Sequence, residues 1–438
     1  MTQPLRVGLA GLGTVGCGVV QLLTQDAPSI AKRAGRSILL ARVASRTPKP
    51  HVDLGDASFD TDLGSLTDAD DIDVVVECIG GEDAAKGLFD AAIDASKHFV
   101  TANKALIALH GNELLGRAHD AGIRVGFEAA VAGGIPIINA LTRGLTANRI
   151  EWLAGIINGT SNYILTAMSR DGQDFAQALA DAQRLGYAEP DPTFDVEGID
   201  AAHKLAILAA LAFDTPLRVD AVYTEGIGGI DVEDIQYARE LGYQIKHLGI
   251  ARRREGGVET RVHPTLVPDD WLIAKVDGVL NAVMVNGHAV GSTIYVGPGA
   301  GALPTASAVV ADLVELARGD LPVPARFGAE LPALAVDTIE AAYYLNIPAA
   351  DQPGVFAEVA EILSRDGISI EAVIQRPQAI RRDNAEASDA SDASEAWVPI
   401  VILTNEIAER TMDRSQDAIQ RLDHVRSNIR RIRVANFA

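Results

Sequence analysis

Residues 6–16 constrain the fold more than any other stretch. An apolar run, 6–10, leads directly into Gly11-Leu12-Gly13-Thr14-Val15-Gly16, and that turn opens a helix carrying Val19 and Leu22 on one face. G-x-G-x-x-G between a strand and a helix is the phosphate-binding fingerprint of a dinucleotide fold. Gly11 permits the tight turn, Gly13 lets backbone amides approach a pyrophosphate, and Gly16 allows close packing of helix on strand. The helix N-terminus adds the positive end of its dipole. A plain glycine turn would need neither flank, and here both are present.

The pattern around this motif repeats. Further β-rich runs at 38–44, 73–79, 98–101 and 124–127 alternate with helical stretches, which predicts an α/β fold with a parallel sheet, a Rossmann-type dinucleotide-binding domain over 1–140. Val74-Val75-Val76 suits a strand buried on both faces. With 438 residues and 48% apolar content the chain has room for about three domains of roughly 150 residues. A change of pattern over 141–321 predicts an α+β catalytic and oligomerisation domain: a strand at 150–157, two or three helices within 160–213, alternating segments within 244–296, and a glycine turn, 297–301. A helix over 304–318 is expected to pack back on the nucleotide domain. Beyond a Pro-punctuated stretch, 321–332, strands at 341–347, 368–375, 397–404 and 428–434 and helices at 354–365 and 407–422 spell a ferredoxin-like βαββαβ domain over 336–438. The Ala/Ser/Asp-rich segment 383–395 reads as a flexible loop without catalytic residues.

Charge and cysteine usage exclude several classes. With 59 acidic and 38 basic side chains the net charge is −21, so a nucleic acid or anionic membrane would need a strong local basic patch. The basic runs at 252–254 and 430–433 are short and carry no interleaved aromatics. Two cysteines, Cys17 and Cys78, provide neither a disulfide framework nor a CxxC-type zinc site, and both read as small core residues. No secretory signal or long uncharged apolar run is evident, so the expectation is a cytoplasmic enzyme with no membrane partner.

Two further positions bear on the dinucleotide. Where the second strand ends, an NAD-preferring fold usually places an acid, but Ser45 and Arg46 stand there and no carboxylate occurs between Arg33 and Asp53. A guanidinium beside a hydroxyl suits the 2′-phosphate of NADP, although a solvated arginine would look the same and NAD stays open. Ile79-Gly80-Gly81 forms a second turn at the carboxyl edge of the sheet, with Gly80 as a candidate contact.

The densest polar cluster inside an apolar region lies within 186–204, and it holds Glu189, Asp191, Asp195, Glu197, Asp200 and Lys204. Asp200 and Lys204 share a helix face at i, i+4, and the continuation, 205–213, is apolar nearly all round. A lysine entering a buried helix needs a partner or a task, and a desolvated amine is suited to proton transfer. A surface ion pair is the bland reading, and the upstream carboxylates weigh towards function as a pocket for a cationic group. Lys104, at the carboxyl edge in Thr101-Ala102-Asn103-Lys104, reads equally as a substrate or nicotinamide contact and as a helix-start lysine.

Taken together these motifs resemble homoserine dehydrogenase over nearly the whole chain. Gly11 to Gly16, Thr-Ala-Asn-Lys at 101–104, Phe-Glu-Ala-Ala-Val-Ala-Gly-Gly-Ile-Pro at 127–136, Asn-Gly-Thr-Ser-Asn-Tyr at 158–163 and the stretch 186–204 fall in family order, the last being highly specific. The resemblance implies reversible NAD(P)-dependent interconversion of aspartate 4-semialdehyde and homoserine, on the route to threonine, methionine and isoleucine. It implies Lys204 as proton donor or acceptor, Glu189 and Asp200 with Asp195 as the substrate site, Lys104 at substrate and cofactor, and Gly186 and Gly301 at the cofactor. A monovalent cation, usually sodium, is implied at Glu128 and the carbonyls of Val131, Gly133 and Ile135. The last domain resembles an ACT module through residues 346–355, implying a threonine effector and a pocket formed between two copies of a homo-oligomer. The chain starts at the nucleotide strand, so a monofunctional enzyme is expected. Competing readings are a dehydrogenase of another amino-acid aldehyde and a non-catalytic dinucleotide sensor. A phosphorylating dehydrogenase would need a nucleophilic cysteine, and a pure sensor would have no use for Lys204 on a buried helix.

Overall fold

The computed structural model describes residues 3–324, 327–328, 331–376, 397–426 and 428–437. Strands β1 (Leu5–Ala10), β2 (Ile38–Ala44), β3 (Ser58–Asp60), β4 (Val74–Glu77), β5 (His98–Thr101) and β6 (Val125–Gly126) form one parallel sheet, ordered β3-β2-β1-β4-β5-β6. The order reverses between β1 and β4, and ligands of such sheets bind in the crevice outside the carboxyl ends at that reversal. Val7, Leu9, Val74, Val75 and Val76 are fully buried, as a parallel sheet covered on both faces requires. β3 was not foreseen, because Ser58-Phe59-Asp60 is too short to show a period.

A second, mixed sheet is built from β7 (Ile150–Ile156), β8 (Tyr223–Thr224), β9 (Tyr243–Arg254), β10 (Gly257–Pro268), β11 (Leu280–Gly287) and β12 (Gly291–Pro298). The helix Ile199–Phe213 packs between β9 and β10 on one side and the helix Lys104–Asp120 of the first block on the other. That double contact is why its apolar residues run all round the helix. Leu205, Ile207 and Leu208 fill the core shared by the two blocks. The helix Ala302–Arg318 returns to the first sheet, where Ala306, Val309 and Leu313 share a core with Val7, Leu9 and Val19.

The last block contains β13 (Glu340–Ala350), β14 (Ile370–Gln375), β15 (Trp397–Thr404), β16 (Ile407–Ala408) and β17 (Arg430–Val434), with helices Val355–Arg365 and Glu409–Gln420. Its spatial order β17-β13-β15-β14 is antiparallel throughout and ferredoxin-like. β17 also pairs in parallel with β10 through Thr265 and Leu266, so the sheet of this block continues that of the second as one eleven-stranded sheet. The segment 383–395 lies outside the described residues.

The basic run at 430–433 is spent on this junction. Arg430 binds Asp234 at 2.5 Å and Glu233 at 3.0 Å, Arg431 binds Glu409 and Asp413, and Arg433 joins Glu409 to Glu225. Among the described residues no helix is long and apolar enough to cross a membrane.

Candidate active site

The glycine loop has the geometry that its sequence requires. Gly11 donates to the Ala44 carbonyl at 2.8 Å and adopts φ +94°, where a Cβ would stand 2.7 Å from the Cys78 oxygen. A Cβ on Gly16 would lie 2.0 Å from the Gly11 oxygen, so only glycine lets the helix Thr14–Gln25 start this close to β1. Around Gly13 the nearest protein atom to a built Cβ is 4.0 Å away, and Gly13 and Thr14 are exposed while Leu12 is buried and Val15 half-buried. The loop is therefore braced from below and open above, as a cradle for phosphate must be. Arg46 is exposed just past β2, at the same sheet edge. Gly301 opens the helix Ala302–Arg318 at φ +129°, and that helix packs on Thr14–Gln25.

Asp200 is 3% exposed and stands at the centre of the polar cluster. Its Oδ2 accepts from Lys204 Nζ at 2.6 Å and from Asn158 Nδ2 at 2.9 Å, and its Oδ1 pairs with Lys104 Nζ at 3.0 Å. Burial alone would raise its carboxyl above the usual range, but the Lys204 and Lys104 ammonium groups and the bonds from Lys204 and Asn158 hold it far below. Lys204 also donates to the Ile157 carbonyl at 2.8 Å. The partner that a lysine entering a buried helix needs is Asp200, and the two form a buried ion pair. Asn158 Nδ2 reaches Asp195 Oδ1 at 2.7 Å as well, which ties the 193–197 turn to Asp200.

Lys104 comes from the first block and Asp200 from the second, so the ion pair between them joins the two blocks. Lys104 Nζ also stands 5.5 Å from the centre of the Phe194 ring, and His203 meets that ring edge-on. Burial, then the Lys104 charge, holds the His203 imidazole below its ordinary range. Glu189 and Gly186 are exposed on the loop before this cluster, and Glu189 enters none of its hydrogen bonds among the described residues. Cys17 and Cys78 pack against the core of the first block, and burial pushes the Cys78 thiol up, away from nucleophilic use.

Sequence reasoning assigned no role to Asn158, Phe194, His203 or Glu77. Asn158 had a usable signal, since an Asn before Gly-Thr-Ser is a helix N-cap, and its Oδ1 accepts from Ser161 N at 2.8 Å. Its Nδ2 is then left to face two acids.

Just past β6, Glu128 is 4% exposed and accepts from the amides of Ile138 and Asn139 at 2.9 and 2.8 Å. Burial, reinforced by Glu315 and opposed by those amides, pushes its carboxyl up to about 7. Its own amide donates to Asp312 at 3.0 Å. Val131, Gly133 and Ile135 lie on the following loop, which docks on the glycine turn through Gly134 N to the Pro298 oxygen at 3.0 Å. Among the described residues no three His, Cys, Asp or Glu side chains gather as a metal site.

Residues 11–128 match the family model for the homoserine dehydrogenase NAD-binding domain, and residues 136–314 match the model for homoserine dehydrogenase. The homoserine dehydrogenase of Pseudomonas aeruginosa is 51% identical over 442 residues, covering 99% of each chain. The chain belongs to the homoserine dehydrogenase family. It is accordingly an oxidoreductase acting on a CH–OH group, with a dinucleotide-binding domain. The Neisseria gonorrhoeae homoserine dehydrogenase is 47% identical, again over 99% of each chain. Among solved structures, the homoserine dehydrogenase of Thiobacillus denitrificans superimposes with a TM-score of 0.92 at 48% identity, over 100% of this chain and 99% of that one. The last block lies beyond both family models, yet the full-length relatives include it.

Proposed function

We propose that this homoserine dehydrogenase reduces L-aspartate 4-semialdehyde to L-homoserine with NADPH, reversibly, and that Lys204 supplies the proton. The observation that carries this reading is the sharing of one buried carboxylate by two lysines from facing blocks, at 2.6 and 3.0 Å, beside the carboxyl edge of the nucleotide sheet.

When bound, the reduced nicotinamide supplies the hydride. An ammonium has three donors, and Lys204 spends one on Asp200 and one on Ile157. The third is left for the substrate oxygen, to which it gives its proton as the carbonyl becomes a hydroxyl. Lys104 seats substrate and cofactor together, and Asp200 and Asp195, joined by Asn158, frame the amino-acid end. Glu189, exposed above them, offers its carboxylate to the substrate ammonium. Gly11 to Gly16, Gly80, Gly186 and Gly301 hold the dinucleotide. The route served is that to threonine, methionine and isoleucine.

Arg46 is assigned to the 2′-phosphate of NADP. Replacing it by alanine is expected to lower the ratio of kcat/KM for NADPH over NADH by about tenfold, the scale of one hydrogen bond to a charged group. An unchanged ratio would make Arg46 a solvated side chain. The same initial-rate assay with threonine examines the last block, assigned as an ACT-like regulatory domain over 336–438 because its βαββαβ order and residues 346–355 suit one. Slowing by threonine supports that assignment, and neither binding nor inhibition would leave homo-oligomer assembly as its task.

Glu128 with the carbonyls of Val131, Gly133 and Ile135 is assigned to a monovalent cation, in keeping with an acid buried near Asp312 and Glu315. The folded value of about 7 lies above that of an unfolded glutamate, so ionisation of Glu128 costs stability as pH rises towards 7, and a bound cation offsets that cost. Sodium chloride is expected to raise Tm above that in tetramethylammonium chloride of equal ionic strength at pH 8, and much less at pH 5. The difference should vanish in Glu128→Gln. Equal Tm values at pH 8 would remove the cation from the account.

A further inference from the structure

Glu77 ends β4 with no exposed surface at all, and nothing above gives it a task. The register of the parallel sheet puts Ala10, Glu77 and Thr101 in one row at the carboxyl ends of β1, β4 and β5, beneath the crevice. The Glu77 carboxylate is fully engaged there. Its Oε1 accepts from the amides of Ile79 at 2.8 Å and Gly80 at 3.0 Å, and its Oε2 accepts from Thr101 Oγ1 at 2.5 Å. Thr101 Oγ1 in turn accepts from Asn103 N at 2.9 Å. The Asn103 side chain closes the circuit: Nδ2 donates to the Gly81 oxygen at 2.6 Å, and Oδ1 caps the helix Lys104–Asp120 through Leu106 N at 3.1 Å. Lys104 is the first residue of that helix.

We propose that Glu77 is a positioning residue that binds the 79–81 turn and the start of the Lys104 helix into one unit. Gly80 and Gly81 adopt φ +70° and +75°, and nothing stands within 4 Å of a Cβ built on either, so the turn presents an open outer face while two of its amides point inward to Glu77. Backbone in this left-handed region holds a fixed shape when its polar groups are tied, and here a buried carboxylate does the tying. On the far side of the circuit the Asn103 cap directs the first helical residue, and Lys104 Nζ arrives 3.0 Å from Asp200. One carboxylate thereby sets the turn against which the dinucleotide lies and the ammonium that meets Asp200. The inference rests on the roles proposed above for Gly80 and Lys104.

The test uses full-length Glu77→Gln, Thr101→Val, Thr101→Ser and Lys104→Ala, alone and in pairs with Lys104→Ala, reading kcat, KM and NADPH affinity by fluorescence, with thermal unfolding as the control for folding. Thr101→Val cuts the arm that joins Glu77 to the start of the Lys104 helix, but leaves Glu77 on the two turn amides and Asn103 on the Gly81 oxygen. It is expected to lower kcat about 10- to 100-fold, the scale of a small misplacement of a reacting group, with NADPH affinity unchanged within about twofold. Thr101→Ser should restore kcat. Glu77→Gln should lower both kcat and NADPH affinity, and its effect on kcat, like that of Thr101→Val, should disappear once Lys104 is alanine. Folded Thr101→Val with wild-type kcat, or effects that persist in full beside Lys104→Ala, would overturn the proposal. Wild-type activity in Lys104→Ala alone would instead remove the role of Lys104, and with it this inference, whereas a slow Lys104→Ala with additive partners removes the inference alone.

Discussion

Replacing Lys204 by alanine is expected to lower kcat about 10²–10⁴-fold, the range for loss of a general acid. The same change should leave folding and dinucleotide binding nearly intact, and the structure gives the reason. Asp200 keeps Lys104 at 3.0 Å and Asn158 at 2.9 Å when Lys204 is gone, so no buried carboxylate is stranded. Lys204 itself contributes no part of the glycine loop. Initial rates at saturating substrate and NADPH, alongside NADPH titration of the variant, separate the two effects. A variant that turns over at nearly the wild-type rate would remove Lys204 from the chemistry.

Asp200→Ala is expected to be worse for the protein as a whole. It leaves two ammonium groups facing each other without the carboxylate between them, and Lys204 is only 12% exposed at its side chain. Removing one partner of a buried pair costs about 3 kcal/mol or more, and here activity should fall by about 10²-fold besides, because both lysines lose their anchor. Asp200→Asn keeps the shape and one acceptor, and should fall between. The pH dependence follows from the sign of the shift. Because the folded carboxyl is held far below its unfolded value, the ion-pair stabilisation is complete above about pH 4 and is lost as pH falls further. The gap in urea midpoint between wild type and Asp200→Asn should therefore stay constant from pH 8 to 5. A gap that closes across that interval would mean Asp200 is not the ionised partner of the two lysines.

What could be read from the chain beforehand was what depends on neighbouring residues. The glycine loop, the strand before it and the helix after it are contiguous, and Asp200 and Lys204 share a helix face by spacing alone. What could not be read was set by contacts between distant segments. Nothing in residues 101–104 says that Lys104 will reach Asp200, and position alone made it equally a helix-start lysine. Spacing alone allowed Asp200 and Lys204 to be a surface pair; their burial and the sharing of Asp200 with Lys104 come from the packing of the two blocks. Glu77 was hidden inside an apolar run, although a glutamate closing a doubly buried strand must find donors, and the two glycines that follow mark a turn whose amides can supply them. The arginines at 430–433 read as a small basic run and prove to be internal partners of Asp234, Glu409 and Glu225. The pairing of β17 with β10 has no sequence period at all, since edge-to-edge joining is decided by which strands are left uncovered.

The most direct test of the account is reduction of aspartate 4-semialdehyde at saturating NADPH by wild type and Lys204→Arg side by side. Arginine keeps the positive charge opposite Asp200 but does not release a proton near neutral pH. The account predicts turnover by the wild type and a rate for the variant lower by about 10²-fold or more, close to that of Lys204→Ala. A Lys204→Arg enzyme within about tenfold of the wild type would show that a fixed charge suffices there, and would contradict proton transfer by Lys204.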